Sequence, residues 1–127
     1  MEMTRYERGL KTLAAIDGAA GQRVVESLRD IAPDFAQYLV EFPFGDIYNR
    51  PDLDLRSREI ATVAALTALG NARPQLEVHI HGALNVGCSR AAIIEIMMQM
   101  AVYAGFPAAL NGLSAARAVF AERGAEK

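Results

Sequence analysis

Between Ile60 and Gly112 only Arg73, Glu77, Arg90 and Glu95 carry a formal charge. A run that apolar must be packed away, and a chain of 127 residues has little core in which to put it. A domain of this size buries only about two thirds of the surface its unfolded chain exposes. The stretch from Arg90 to Ala104 is the sharpest case. On a helix, its Ile93, Ile94, Ile96, Met97, Met98, Met100, Val102 and Tyr103 cover every azimuth. Apolar surface left over after a core is filled marks a subunit interface, so an obligate homo-oligomer is expected.

Apolar residues recur at three- and four-residue spacing rather than alternating, and 23 alanines stand against four threonines. Both point to an all-α chain. Its length suits one domain over residues 1–127, a helical bundle of about six or seven helices. Helices are expected over Arg5–Ile16, closed by Asp17-Gly18, then Gln22–Ile31 and Pro33–Glu41. The aromatic segment Phe42–Pro51, with two prolines, reads as irregular or weakly helical. Asp54 is placed to cap Leu55–Leu69, which Gly70 ends, and Pro74 to open Gln75–Val86 ahead of Gly87. Ser89 caps Arg90–Ala104, and Pro107 opens a last helix reaching Arg123.

Thirteen basic and fifteen acidic residues leave a net charge of -2, without the basic excess that phosphate binding requires, so no nucleic-acid partner is expected. The most apolar stretch, Ile96 to Leu110, is interrupted by Gln99, Gly105 and Pro107 and falls short of the roughly 20 residues that span a bilayer. The opening residues are charged, with no apolar run behind them, and Cys88 is the one cysteine. Together these suggest a cytoplasmic protein with no membrane partner and no disulfide.

Histidine is the side chain best suited to acid–base work near neutral pH, and the chain has two, His79 and His81. Two positions apart on one helix they differ by about 200°, so they face different surroundings. His79 shares a stripe with Leu76, Ala83 and Val86. It is either a core histidine bonded to a carbonyl or a working one. His81 lies near Glu77 and Asn85, where a surface pair with Glu77 is the simple reading. Glu59 heads an apolar stripe of Thr62, Val63 and Leu66. It complements its helix N-terminus, pairs with Arg56 or Arg58, or shares a proton with a neighbouring histidine. Cys88, at a helix junction, is placed for some thiolate stabilisation, although a lone thiol is commonly inert. Glu95, Gln99 and Tyr103 share one face at four-residue spacing, a polar strip toward a site, a neighbouring subunit or neither.

These residues also resemble a known family. Arg5-Tyr6-Glu7-Arg8-Gly9-Leu10, Arg58-Glu59, Leu76-Glu77-Val78-His79 with Gly82-Ala83-Leu84 and Gly87, then Glu95, Gln99 and Tyr103-Ala104-Gly105-Phe106-Pro107-Ala108 are similar to the carboxymuconolactone decarboxylase family, over almost the whole chain. The resemblance implies the all-α, alkylhydroperoxidase-D-like fold, assembled as a homotrimer or homohexamer. Peroxidase members of that superfamily carry Cys-x-x-Cys-x-x-x-His with an upstream Glu. Counting back from His79, the two cysteine positions hold Ala72 and Gln75, so the Glu59 and His79 pair remains without a dithiol.

The resemblance therefore implies a cofactor-independent, metal-free decarboxylase of a small carboxylated lactone of the γ-carboxymuconolactone type, in aromatic catabolism. His79 and Glu59 are the expected catalytic pair, and His81, Arg58 and Tyr103 are expected to bind the carboxylate substrate. Arginine often stands in the family's decarboxylases where this chain has His81. Arg50, Arg56 and Arg73 are thus further candidates for holding a carboxylate. A redox protein working through Cys88 and a non-catalytic, ligand-binding helical oligomer are the competing readings.

Overall fold

The computed structural model describes residues 2–125, among which there are six α-helices, one π-helical segment and no strand. Helix α1, Arg5–Glu26, opens on a capping box in which Thr4 and Glu7 each satisfy the other's backbone N–H. It contains the break expected after Asp17. Gly18 sits at φ 54, ψ -133, a left-handed conformation that costs little without a Cβ, and the helix resumes beyond it. The two expected helices are therefore one kinked element, and its second limb stops at Glu26 rather than Ile31.

Helix α2, Pro33–Leu39, runs straight into the π-helical segment Val40–Ile47. The expected irregular connection is thus ordered, and Pro43 explains its geometry. Proline has no N–H to give and its ring crowds the carbonyl four residues back. Widening to the π pattern, in which the Tyr48 N–H donates to the Pro43 carbonyl at 2.8 Å, carries the chain past it. This segment packs on α1 with almost no side chain between them. A Cβ on Gly9 would collide with the Val40 carbonyl, and one on Gly45 would come within 2.6 Å of the Arg5 carbonyl. Asn49 fastens the crossing by donating from Nδ2 to the Thr12 hydroxyl at 2.8 Å and to the Phe44 carbonyl at 2.6 Å. Arg5 grips Asp46 through two nitrogens at 3.1 and 2.7 Å.

These elements form one compact unit ending at Leu55; a second begins at Arg56. The second is built from α3 (Leu55–Leu69), α4 (Arg73–Asn85), α5 (Arg90–Ala104) and α6 (Phe106–Arg123). Its core joins Val63, Leu76, Ile80, Ala83, Ile93, Met97, Ala115, Ala116 and Val119. Full burial of each large aliphatic among them contributes about 1.5–3 kcal/mol. Ser89 caps α5 as expected, accepting from the Ala92 N–H at 3.0 Å. Helix α4 starts two residues earlier than expected, with Pro74 in its first turn, where proline's missing N–H costs nothing. No helix among the described residues is long and apolar enough to cross a membrane.

Candidate active site

Helix α3 has one buried stripe, Glu59, Val63 and Thr67, at four-residue spacing. Two of its members are ordinary core residues, and Thr67 returns its hydroxyl to the Val63 carbonyl at 2.7 Å. Glu59 is the exception, an ionisable group with 0% of its side chain exposed. On α4, Leu76, Ile80 and Ala83 face the core, and His79 stands at the margin of that face with 17% of its side chain exposed. Nδ1 of His79 meets Oε1 of Glu59 at 2.9 Å. A carboxylate oxygen accepts, so Nδ1 carries the hydrogen, which fixes the ring's tautomer and orientation. Oε2 of Glu59 is buried and makes no hydrogen bond. A buried acceptor left unmade costs about 1–3 kcal/mol, and more for a charged group.

His81, on the opposite side of α4, is engaged quite differently. Arg123 can only donate, and its Nη1 lies 3.1 Å from Nδ1 of His81, so Nδ1 is the acceptor. The ring hydrogen is then on Nε2, which donates to Oε2 of Glu122 at 3.0 Å. Arg123 also donates to Oδ1 of Asn85 at 3.1 Å. The expected partner Glu77 accepts instead from Nε of Arg73 at 2.7 Å, and Arg73 further reaches the Ser114 hydroxyl at 3.0 Å.

Arg58 is half-buried beside Glu59 on α3, and its carbonyl accepts from the Thr62 hydroxyl at 2.8 Å. Glu95, Gln99 and Tyr103 do share a face of α5, and all three are exposed. Cys88 is 5% exposed, its Sγ 4.0 Å from the Arg56 carbonyl. Burial pushes its thiol up, against the opposing pull of the Arg56 charge, so the inert reading of this lone thiol is the one the surroundings favour. Arg50, the remaining arginine candidate, lies in the first unit, at a shallow concavity shared with Arg8, Asp46 and Asn49.

The described residues thus form an all-helical protein with a buried glutamate bonded to a histidine on the following helix. The chain belongs to the carboxymuconolactone decarboxylase family, whose model matches residues 33–118. It is 31% identical to 4-carboxymuconolactone decarboxylase of Acinetobacter baylyi over 121 residues, covering 94% of this chain and 90% of that one. Over the same shares it is 30% identical to an uncharacterized 15.0 kDa protein of Paracoccus denitrificans. It is 26% identical to nitrosuccinic acid decarboxylase of Metarhizium robertsii over 111 residues, 85% of this chain and 76% of that one.

Proposed function

We propose that the protein is a cofactor-independent decarboxylase of a small carboxylated lactone of the γ-carboxymuconolactone type, with Glu59 and His79 moving the proton. The observation that carries this reading is the 2.9 Å contact between a fully buried carboxylate and an imidazole at the edge of the core. The family membership supports the same reaction type. Two relatives are named as decarboxylases, and their named substrates share a chemical property. In a carboxymuconolactone the electron pair left by departing carbon dioxide spreads through the double bond to the lactone carbonyl. In nitrosuccinic acid it passes to the nitro group. Either way an oxyanion holds the pair until carbon is protonated, so no electron-sink cofactor is needed.

On this chain the reaction divides simply. The substrate carboxylate loses carbon dioxide, the carbon–carbon bonding pair becomes a dienolate, and one proton delivered to carbon completes the product. A second carboxylate on such a substrate calls for a cation, and Arg58, adjacent to Glu59, is the group we assign to it. Tyr103 is the group we assign to the substrate's rim contacts, while both ring nitrogens of His81 are already engaged by Arg123 and Glu122. The test is carbon dioxide release from γ-carboxymuconolactone by the purified protein. Release is expected from the wild type and from Cys88→Ser, and loss of it from His79→Ala. An inert wild type overturns the reading.

A homotrimer or homohexamer is the assembly we propose for it. Val102, Tyr103 and Phe106 are 76, 80 and 74% exposed, and with Met98 and Leu110 they leave one end of α5 and the start of α6 apolar toward water. Burying surface of this kind against another copy gives each side chain the transfer free energy it lacks in the lone chain.

A further inference from the structure

We infer that α5 is a two-fold contact between copies of this chain, crossing its own counterpart antiparallel at a point between Met98 and Gln99. This rests on the assembly proposed above and names the surface and the symmetry through which two copies meet. From Ile94 to Tyr103 the outer side of α5 carries two exposed seams at four-residue spacing, about 100° apart around the helix. One is apolar, made of Ile94, Met98 and Val102. The other is polar, made of Glu95, Gln99 and Tyr103, and none of these three side chains has a hydrogen bond or ion pair to another described residue.

Each seam complements itself when turned end for end. A two-fold axis perpendicular to the plane of the two helices keeps apolar beside apolar, setting Ile94 against the partner's Val102 and Met98 against its own copy. Along the other seam, Glu95 lies between the partner's Gln99 and the partner's Tyr103, whose N–H and O–H have a carboxylate to donate to. The Tyr103 ring stays available for the substrate's rim. A parallel contact would instead set Glu95 on Glu95, and no Lys or Arg stands between Ile94 and Tyr103 to offset the like charges. Antiparallel, the two Glu95 residues are about 10 Å apart along the axis. With Phe106 and Leu110 just beyond, the two seams expose on the order of 800 Å², about one partner's share of a standard interface. A trimer closed on one three-fold axis contains no two-fold, so the contact selects the hexamer, three such pairs, from the two assemblies proposed.

The experiment is disulfide trapping in the full chain carrying Cys88→Ser, with one new cysteine at a time, mild oxidation and a non-reducing gel. Packed helices lie about 8–10 Å apart axis to axis, which brings the two copies of position 99 within the roughly 7 Å between Cα atoms that a disulfide spans. Gln99→Cys is therefore expected to convert most of the protein to a covalent dimer. The two copies of position 95 stand beyond that reach, and Glu95→Cys is expected to stay single-chain under the same oxidation. A parallel contact would trap both. Met98→Glu sets two carboxylates beside the axis, and is expected to raise the concentration at which the assembly half dissociates at least tenfold in sedimentation. Single-chain Gln99→Cys, trapped Glu95→Cys, an undiminished Met98→Glu assembly or a wild-type mass of three chains overturns this contact and leaves the oligomer in place. A wild-type mass of one chain in light scattering overturns the oligomer and this contact with it.

Discussion

The two histidines of α4 are two residues apart and chemically opposite. His79 gives its Nδ1 hydrogen to a carboxylate with no exposed surface, and His81 accepts at the same atom from an arginine and gives from Nε2 to a surface glutamate. The first arrangement holds an ionisable pair at the edge of the core, its carboxyl fully buried and its ring partly exposed. The second is a solvated clasp between α4 and the end of α6, extended by Arg90, which donates from Nη2 to the Gly124 carbonyl at 2.8 Å. One helix thus carries a histidine paired with a buried carboxylate and another tied into a surface network.

Substitution should separate them. His79→Ala is expected to lower decarboxylation by about a hundredfold to ten-thousandfold, while His81→Ala stays within a few-fold, both read as kcat/KM on γ-carboxymuconolactone. Equal losses from both would erase the distinction. Next in size, Phe106→Glu with Val102→Glu is expected to reduce the assembly to smaller species in sedimentation or light scattering, with the helical content of the chain retained. His81→Ala is expected to cost about 1 kcal/mol of unfolding free energy in urea, the usual scale for partly exposed hydrogen bonds.

The smallest effect lies in the first unit, well away from either histidine in sequence. The hydrogen bond and charge of Arg5 hold the Asp46 carboxyl below its ordinary value of 3.8. A depressed carboxyl contributes stability at pH above its unfolded value, and that contribution disappears as pH falls through the folded one. Asp46→Asn should therefore leave unfolding unchanged in strong acid and slightly easier near neutrality. A stability difference that persists unchanged into strong acid would remove Asp46 from the explanation.

Local signals in the sequence place most of the helices, although they divide α1 in two. Ser89 and Gly105 bracket α5 where the structure ends it, and Asp17-Gly18 marks the bend in α1. The Phe42–Pro51 stretch was harder, because aromatic residues and proline announce a disturbed helix without saying that it reopens as π. Glu59 and His79 could each be picked out from the stripe it interrupts. Their meeting, 20 positions apart, followed from the resemblance and from the geometry together. The partners of His81 had no local trace at all. Glu122 and Arg123 lie more than forty positions away, and Glu77, the near choice, is taken by Arg73 four residues before it. At Cys88 the sequence shows the helix start beside a thiol but not the burial that outweighs it and leaves the inert reading standing.

The π-helical segment has a consequence for how this chain tolerates change in length. A π turn carries one residue more than the hydrogen-bonding pattern of an α turn requires. Deleting a single residue between Val40 and Phe44 lets the helix close up into ordinary spacing while the residues beyond keep their facing, so Gly45 stays against the Arg5 carbonyl. The same deletion from an ordinary α-helical turn swings everything after it by about 100°. The surplus residue is thus slack that this one stretch can give up without losing the close approach of two backbones.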